Sequence, residues 1–359
     1  MHRPRVAIIY LCHNDIKYVP EVVDSWCNQS YPHEFINIVM IPNGAQDGVQ
    51  DLIKIDILPR SGNDLPQTLL IDDGVNHGFA GGNNIGIKWA IDNGFDYIFL
   101  NNGDLRLDQH TIEEMVRVME SDKSIGSSQA FVRMWNDTQI VNATGGVMHV
   151  AGFGYARDNG RELSSVHRQD RDEVMYSSGA AVMYRASALK KVGFLEEGFF
   201  MYHEDLELGL RLRFAGYKNV LAKNAQAFHD YSFSRNPNKF QWMETYRIVV
   251  LLSYLKIQSL ILLLPILKMI ECGVWLMAIK GNWSKAKLLS CIELCKPKTW
   301  KLISRIRTKV QKLRVIDDRE WMKLLSPVIE YQERETSAVR IGNRIVKFLW
   351  KIIFKFIKW

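Results

Sequence analysis

Apolar positions in the first 235 residues fall into short continuous runs, separated by stretches with helical spacing. Val6 to Leu11 is one such run, the pattern of a parallel strand buried on both faces. Tyr18 to Trp26 has helical spacing, Ile36 to Ile41 is a second strand, and Asn43-Gly44 makes a turn after it. Gln67 to Ile71 reads as a third strand, and Asn83 to Asp92 as a helix with Ile85, Trp89 and Ile91 apolar. Tyr97 to Leu100 is a fourth strand and Thr111 to Met119 another helix. The alternation predicts an α/β fold, an open, mostly parallel sheet flanked by helices. Ligands of such sheets bind beyond the C-terminal strand ends. That singles out Cys12-His13-Asn14, Pro42-Asn43-Gly44, Asp72-Asp73 and Asn101-Asn102-Gly103-Asp104. Phe131 to Ser178 is less regular and Gly-rich, and reads as strands and loops over the sheet end.

Beyond Arg235 the pattern changes. Ile248 to Leu267 is a mostly apolar run of twenty residues with Lys256 and Pro265 inside it, and Cys272 to Ile279 is apolar again. About twenty residues suffice to span a bilayer; a buried or interfacial helical hairpin fits the run equally well. Near the end, Arg340, Arg344, Lys347, Lys351, Lys355 and Lys358 recur at steps of three and four, along one helical face. Ile341, Ile345, Phe348, Leu349, Ile352, Ile353, Phe356 and Trp359 fill the rest. A helix lying in a membrane interface has this pattern, its basic face attracted by anionic lipid. A helix docked on the protein's own body shares it. Nucleic acid is disfavoured as a partner, because the helix is too apolar and carries no reading motif. These changes divide the chain into 1–235, a catalytic-type α/β domain, 236–337, a mainly α-helical C-terminal region, and 338–359, a basic amphipathic anchor.

Charge sharpens that division. The chain of 359 residues has a formal net charge of +7. From Lys280 onward there are 20 Lys and Arg against 7 Asp and Glu, a net +13, while the preceding part has 26 against 32, a net −6. A slightly acidic body with a basic tail suits an anionic surface. The five cysteines show no metal-ligand spacing and read as reduced thiols in a cytosolic setting. No signal peptide is read before the first strand, which starts at about Arg5.

Four segments carry candidate chemistry. Phe199 to Gly216 reads FFMYHEDLELGLRLRFAG, with Glu204 and Asp205 at a predicted helix start, Glu207 and Arg211 as an i,i+4 pair, and Gly216 as the stop. A carboxylate in a first helical turn is kept ionised, as a general base must be; an ordinary acidic helix start would look the same. Asn76 to Asn84, NHGFAGGNN, is a glycine-rich loop opening a helix, which suits phosphate binding or simply tight packing. Asn102-Gly103-Asp104 at a strand end can offer oxygens to a divalent ion, and is also a common turn. His229 stands alone, and a lone His is more often structural than ligating.

In this order the segments resemble family-2 glycosyltransferases of the GT-A fold, especially the bacterial rhamnosyltransferase-like branch. The resemblance covers about residues 5 to 235. It rests on Asn14 after the first strand, on Pro42 to Gly48 in place of a DNgSxDG element, and on the nearly complete loop Asn76 to Asn84. Asn102-Gly103-Asp104 stands as the DxD-like element, followed by Ser178-Gly179-Ala180, Gly198 to Tyr217 and His229. Pro42 replaces the Asp that contacts the base in the family, and Ala45 the Ser, so UDP, dTDP and GDP all stay open; Asn102 replaces the first Asp of DxD.

The resemblance implies inverting transfer of a sugar from a nucleotide-diphosphate donor to an acceptor hydroxyl. Asp205 would be the base, with Glu204 as the fallback. Asp104 and His229 would ligate Mg or Mn. Leu11, Cys12, Asn14, Asn43, Asp73, Gly81, Gly82, Asn83, Asn84, Asn102 and Gly103 would hold the donor. Trp135, Gly179, Tyr202 and His203 would lie on the acceptor side. With the basic tail, the expected acceptor is a saccharide, in particular one carried on a lipid, at the cytoplasmic face of the cell membrane, with the protein peripheral or monotopic. A binding protein of the same fold that has lost catalysis is the second reading, supported by Pro42 and Asn102.

Overall fold

The computed structural model describes residues 3–231, 236–330 and 337–359. Two compact units emerge: Met1–Gly146, Ala156–Leu212 and Tyr217–Ser232 make the first, and Val147–Tyr155, Arg213–Gly216 and Phe233–Trp359 the second.

The strands are β1 (Val6–Leu11), β2 (Ile36–Ile41), β3 (Gln67–Leu70), β4 (Tyr97–Asn102), β5 (Leu105–Leu107), β6 (Ile125–Met134), β7 (Val141–Ala143), β8 (Gly146–Met148), β9 (Gly154–Ala156), β10 (Ala181–Arg185) and β11 (Lys218–His229). The helices among them are α1 (Val19–Cys27), α2 (Val49–Leu52), α3 (Gly78–Asp92), α4 (Thr111–Ser121), α5 (Ala186–Val192) and α6 (Glu204–Phe214). The main sheet runs β3-β2-β1-β4-β10-β6-β11-β5, with β7 beside β6, while β8 and β9 form a separate ribbon. Every residue of β1 is buried, as its unbroken apolar run requires.

The sheet is mixed rather than mostly parallel. β3, β2, β1 and β4 are parallel, as are β6 and β11, but β10 is antiparallel to both β4 and β6, and β5 to β11. The cause is topological. A helical crossover returns the chain to the starting end of the strands and gives a parallel strand. The chain reaches β10 through the irregular segment after β9, so it enters at the opposite end of the strands.

The second unit adds α7 (Pro237–Tyr254), α8 (Ile257–Lys280), α9 (Ser284–Cys295), α10 (Pro297–Leu313), α11 (Asp318–Met322) and α12 (Ser337–Ile353). The apolar run Ile248 to Leu267 is therefore not one helix: it breaks at Leu255-Lys256, where the Lys256 N–H donates to Asp318 Oδ2 at 2.9 Å. Glu244 of α7 accepts Arg247 Nε at 2.8 Å and Lys287 Nζ at 2.6 Å, with all three residues at most 3% exposed. Arg247 and Lys287 also pair with Glu271 of α8, at 2.7 and 2.6 Å. The predicted C-terminal amphipathic helix forms from Ser337 to Ile353, and turns follow it.

Candidate active site

The parallel strands end in register. Leu11 pairs with Ile41 on one side and Asn102 on the other, so three C-terminal strand ends lie in a row. The Tyr10 hydroxyl donates to the Gly103 carbonyl at 3.0 Å and ties β1 to the turn after β4. Asp15 Oδ2 accepts the His13 N–H at 2.9 Å. A Cβ on Gly103 would lie 2.4 Å from that oxygen, so only glycine fits there. Burial raises the Asp15 pKa, and the charges of Asp104 and Asp47 add to the effect. Asp15 was not singled out from the sequence; its signal was a carboxylate just past the first strand end.

Asp104 and His229 meet. His229 Nε2 is 3.1 Å from Asp104 Oδ1, and Nδ1 is 3.1 Å from Asn142 Oδ1. Asn142 Oδ1 is an acceptor, so Nδ1 donates to it. In the neutral ring the Nε2 lone pair then faces a carboxylate oxygen, and a proton or a divalent cation between them would satisfy both. Among the described residues no group of three or more His, Cys, Asp or Glu could hold a metal by itself. The pair fits a metal whose other ligands come from a bound molecule. Asn142, which fixes the ring, has no motif to reveal it in the sequence.

The glycine-rich segment is helix rather than loop, because α3 begins at Gly78, five residues earlier than its apolar spacing predicts. A Cβ on Gly82 would stand 2.5 Å from Leu11 Cδ1, and one on Gly86 2.4 Å from Ile9 Cγ2. These glycines let α3 lie directly on β1. Asn43, at φ +48°, accepts the His77 N–H at 2.9 Å and donates to the Gly78 carbonyl at 3.2 Å. Asn14, at φ +59°, accepts the Gln46 N–H at 2.8 Å. Non-glycine residues of this conformation are mostly Asn or Asp. Cys12 is buried, with Sγ 3.7 Å from the Ile41 carbonyl, and burial pushes its thiol pKa up. Asn83 donates to the Phe79 carbonyl at 3.0 Å. Asn84 donates to the Leu195 carbonyl at 2.9 Å and to Glu197 Oε1 at 2.8 Å, so its amide ties α3 to the segment before α6. Asp73 is exposed and lies 2.8 Å from His77 Nε2. Gly81 sits over His77, whose Cβ would be 2.9 Å from a side chain there.

α6 begins at Glu204, as predicted. Its buried Glu207–Arg211 pair closes at 2.6 Å, and Arg211 also donates to the Val192 and Phe194 carbonyls. Just before the helix, Tyr202 and His203 both have φ +69°. Two successive left-handed non-glycine residues cost about 1–2 kcal/mol each, and such strain collects at functional sites. The Phe79 N–H donates to the Phe200 carbonyl at 3.2 Å, joining the start of α3 to this turn.

The two carboxyls of the pair differ. Asp205 Oδ1 accepts the Leu206 N–H at 2.7 Å and Oδ2 the Gly179 N–H at 3.2 Å. Glu204 Oε2 is buried without a hydrogen-bond partner among the described residues. Burial raises the Asp205 pKa to about 6, and the backbone N–H groups hold it from going higher. Burial, and then the charge of Asp205, push Glu204 well above the carboxylate range. Of the two, Glu204 resists ionisation more, and Asp205, with its two backbone N–H donors, is the better placed to carry the charge. The next residue after Gly179, Ala180, accepts the Asn102 N–H at 3.2 Å. One dipeptide therefore joins the turn bearing Asp104 to the carboxylate of α6. Trp135 lies on the other flank: its N–H donates to the His229 carbonyl at 2.9 Å and its ring rests 5.6 Å from that of Tyr18.

The profile of glycosyl transferase family 2 matches residues 7–193. The chain belongs to that family. Glu204, Asp205 and His229 lie beyond the matched stretch. Over 148 residues this glycosyltransferase is 30% identical to the low-salt glycan biosynthesis hexosyltransferase Agl10 of Haloferax volcanii, an alignment covering 40% of this chain and 45% of that protein. The chain thus spans less than half the length of that relative. It is 26% identical over 225 residues to an N-acetylglucosaminyl-diphospho-decaprenol L-rhamnosyltransferase of Mycobacterium tuberculosis, covering 56% of this chain and 69% of that protein. Among solved structures, GalNAc-T7 with UDP, GalNAc and Mn2+ superposes with a TM-score of 0.53 at 12% identity, over 70% of this chain and 48% of that one. Staphylococcus aureus TarS 1-349 with UDP-GlcNAc gives 0.50 at 12% identity, over 98% and 90%. At such identities the likeness is one of fold, and the fold of this family-2 glycosyltransferase is of the GT-A type.

Proposed function

We propose that the chain transfers a sugar, with inversion, from a nucleotide-diphosphate donor to an acceptor hydroxyl. The observation that carries this reading is the bridge from Asn102 through Ala180 and Gly179 to Asp205. It couples a diphosphate-side turn to an ionised carboxylate through one backbone segment. Asp205 accepts the proton of the acceptor hydroxyl as that oxygen attacks the anomeric carbon and the bond to the diphosphate breaks. Burial beside Asp205 disfavours a second negative charge on Glu204. Asp104 and His229 would hold Mg or Mn, which when bound offsets the charge developing on the leaving diphosphate. Leu11, Cys12, Asn14, Asn43, Asp73, Asn102 and Gly103 border the donor, while Gly81, Gly82, Asn83 and Asn84 shape its wall from within α3. Gly179, Tyr202 and His203 gather on the acceptor side of Asp205, and Trp135 beside His229.

We assign the acceptor to the class of lipid-linked saccharides at the cytoplasmic membrane face. The basic row on α12 supports this, as does the resemblance to a rhamnosyltransferase whose name contains a decaprenol-linked saccharide. The test is a panel of nucleotide sugars scored by thermal shift with Mn present, followed by transfer assays with the stabilising donor. A ligand stabilises by an amount set by its concentration over its dissociation constant. No stabilisation by any UDP-, dTDP- or GDP-sugar would leave the reading without a donor and reject it. Removal of residues 338 to 359 should release the protein from anionic vesicles.

A further inference from the structure

We infer that α8 does not cross a membrane but lies flat in the lipid surface beside α12, so that the second unit binds as a monotopic two-helix face. This rests on the membrane-surface reading above and adds to it a second helix and a topology. α8 has 24 residues and is the one described helix long and apolar enough to span. It would reach about 36 Å at 1.5 Å per residue, against a hydrocarbon core of about 30 Å. Length alone therefore permits crossing. Its side-chain bonds argue against it.

α8 is fixed to the second unit at two points. In its first turn, Ser259 Oγ donates to Asp318 Oδ2 at 2.5 Å and accepts from Trp359 Nε1 at 2.9 Å. Past its middle, Glu271 receives Arg247 at 2.7 Å and Lys287 at 2.6 Å. A spanning α8 would carry Glu271 and Lys268 into hydrocarbon and strip Arg247 and Lys287, both almost fully buried, of a partner. Removing one member of a buried ion pair is strongly destabilising, and a charge at the bilayer centre adds its own cost.

The face of α8 turned away from Ser259 is apolar and open, with the partly exposed Glu271 at its margin. Ile257, Ile261, Leu264, Leu276 and Ile279 are 45–65% exposed. Lys268 lies within this row, where its long stem can reach headgroups while its neighbours enter the acyl region. α12 packs on α8, and the segment after it is tied down as well: Trp359 Nε1 donates to Ser259 of α8, and Arg319 of α11 donates to the Ile357 carbonyl at 2.6 Å. α12 and the turns after it are divided too: Val346, Ile353 and Ile357 are buried, while Ile341, Ile345, Phe348, Ile352 and Phe356 are 42–64% exposed. Arg340, Arg344, Lys347, Lys351 and Lys355 flank that outer row and no acid interrupts it. The strip of α12, edged by cations without an acid, is complementary to an anionic lipid surface.

The test is flotation of the full chain with phosphatidylcholine vesicles, with or without a quarter phosphatidylglycerol, followed by carbonate extraction at high pH. The parent should float with the anionic vesicles and be stripped by carbonate. Ile261→Glu with Leu276→Glu on α8, and Ile345→Glu with Phe348→Glu on α12, should each lower partitioning at least tenfold. All four sites are exposed, so melting temperatures should stay at the parental value, and circular dichroism checks the fold of each variant. An α8 pair that floats like the parent overturns the two-helix face. A parent that resists carbonate overturns the in-plane topology. A parent that floats with neither vesicle overturns the membrane-surface reading itself.

Discussion

The Gly179 N–H donates to Asp205 Oδ2 at 3.2 Å, and a side chain on Gly179 would meet the ring of Phe79 at 2.8 Å. The carboxylate is thus aimed by a residue that has room for no side chain, in the turn that leads into β10. Glu204, its neighbour in sequence, has no such donor on Oε2.

Asp205→Asn should lower sugar transfer by about 10²- to 10⁴-fold, the usual contribution of a general base, while donor affinity stays within about twofold. Calorimetric titration of the donor and a product assay separate the two effects. Transfer at the parental rate would remove Asp205 from the base role.

The pH dependence follows from the raised Asp205 pKa of about 6. Transfer should fall as pH drops through that value, because the base becomes protonated. For stability the sign is opposite. The folded pKa lies above the unfolded value of 3.8, so the folded state binds more protons between those limits and loses stability as pH rises through the window. Asp205→Asn should therefore melt higher than the parent at pH 7.5, with a difference that shrinks by pH 4. Melting curves at the two pH values decide it, and a constant difference would contradict the buried-charge account.

The Asp104–His229 contact of 3.1 Å predicts that metal and donor bind together. Asp104→Ala and His229→Ala should each abolish the increment in donor affinity produced by Mn, leaving the weaker metal-free binding. Donor titrations with Mn and with chelator check this. An Mn increment that survives both changes would place the metal elsewhere.

Gly86→Ala should destabilise the first unit even though alanine is the better helix former. Its Cβ would lie 2.4 Å from Ile9 Cγ2 and 3.1 Å from Ile41 Cδ1. Overpacking costs about 1–3 kcal/mol, against about 1 kcal/mol gained in helix propensity. The urea midpoint should fall; a rise would mean that β1 yields more easily than its complete burial suggests.

Glu244→Gln should be the more damaging change in the second unit. Both Arg247 and Lys287 depend on that carboxylate while buried. Leaving buried cations without their partner costs about 3–5 kcal/mol. Denaturation followed through Trp275, Trp283 and Trp321 would report the loss, and an unchanged transition would show that Glu271 alone suffices.

Much of this was legible in the sequence. β1 and β2 match their apolar runs residue for residue, α6 begins at Glu204, and the i,i+4 pair Glu207–Arg211 forms. These features are set by local periodicity. The rest depends on tertiary contacts. The direction of β10 follows from the end of the strands at which the chain re-enters the sheet, which no run of residues encodes. The early start of α3 runs against glycine's poor helix propensity, and packing on Ile9 and Leu11 overrides it. The break at Leu255-Lys256 is held by Asp318, some sixty residues away in sequence. Asp15 and Asn142 are ordinary polar residues until Gly103 and His229 are placed beside them.

The contact between α3 and β1 has a practical consequence for redesign. At positions 82 and 86 the helix touches the strand with nothing between, so a library aimed at a new sugar donor gains only misfolded members by varying them. Asp73 and His77 pair at the rim, with side chains 55% and 34% exposed. If Asp73 borders the donor as proposed, diversity placed there can change donor choice without disturbing the packing of α3 on β1.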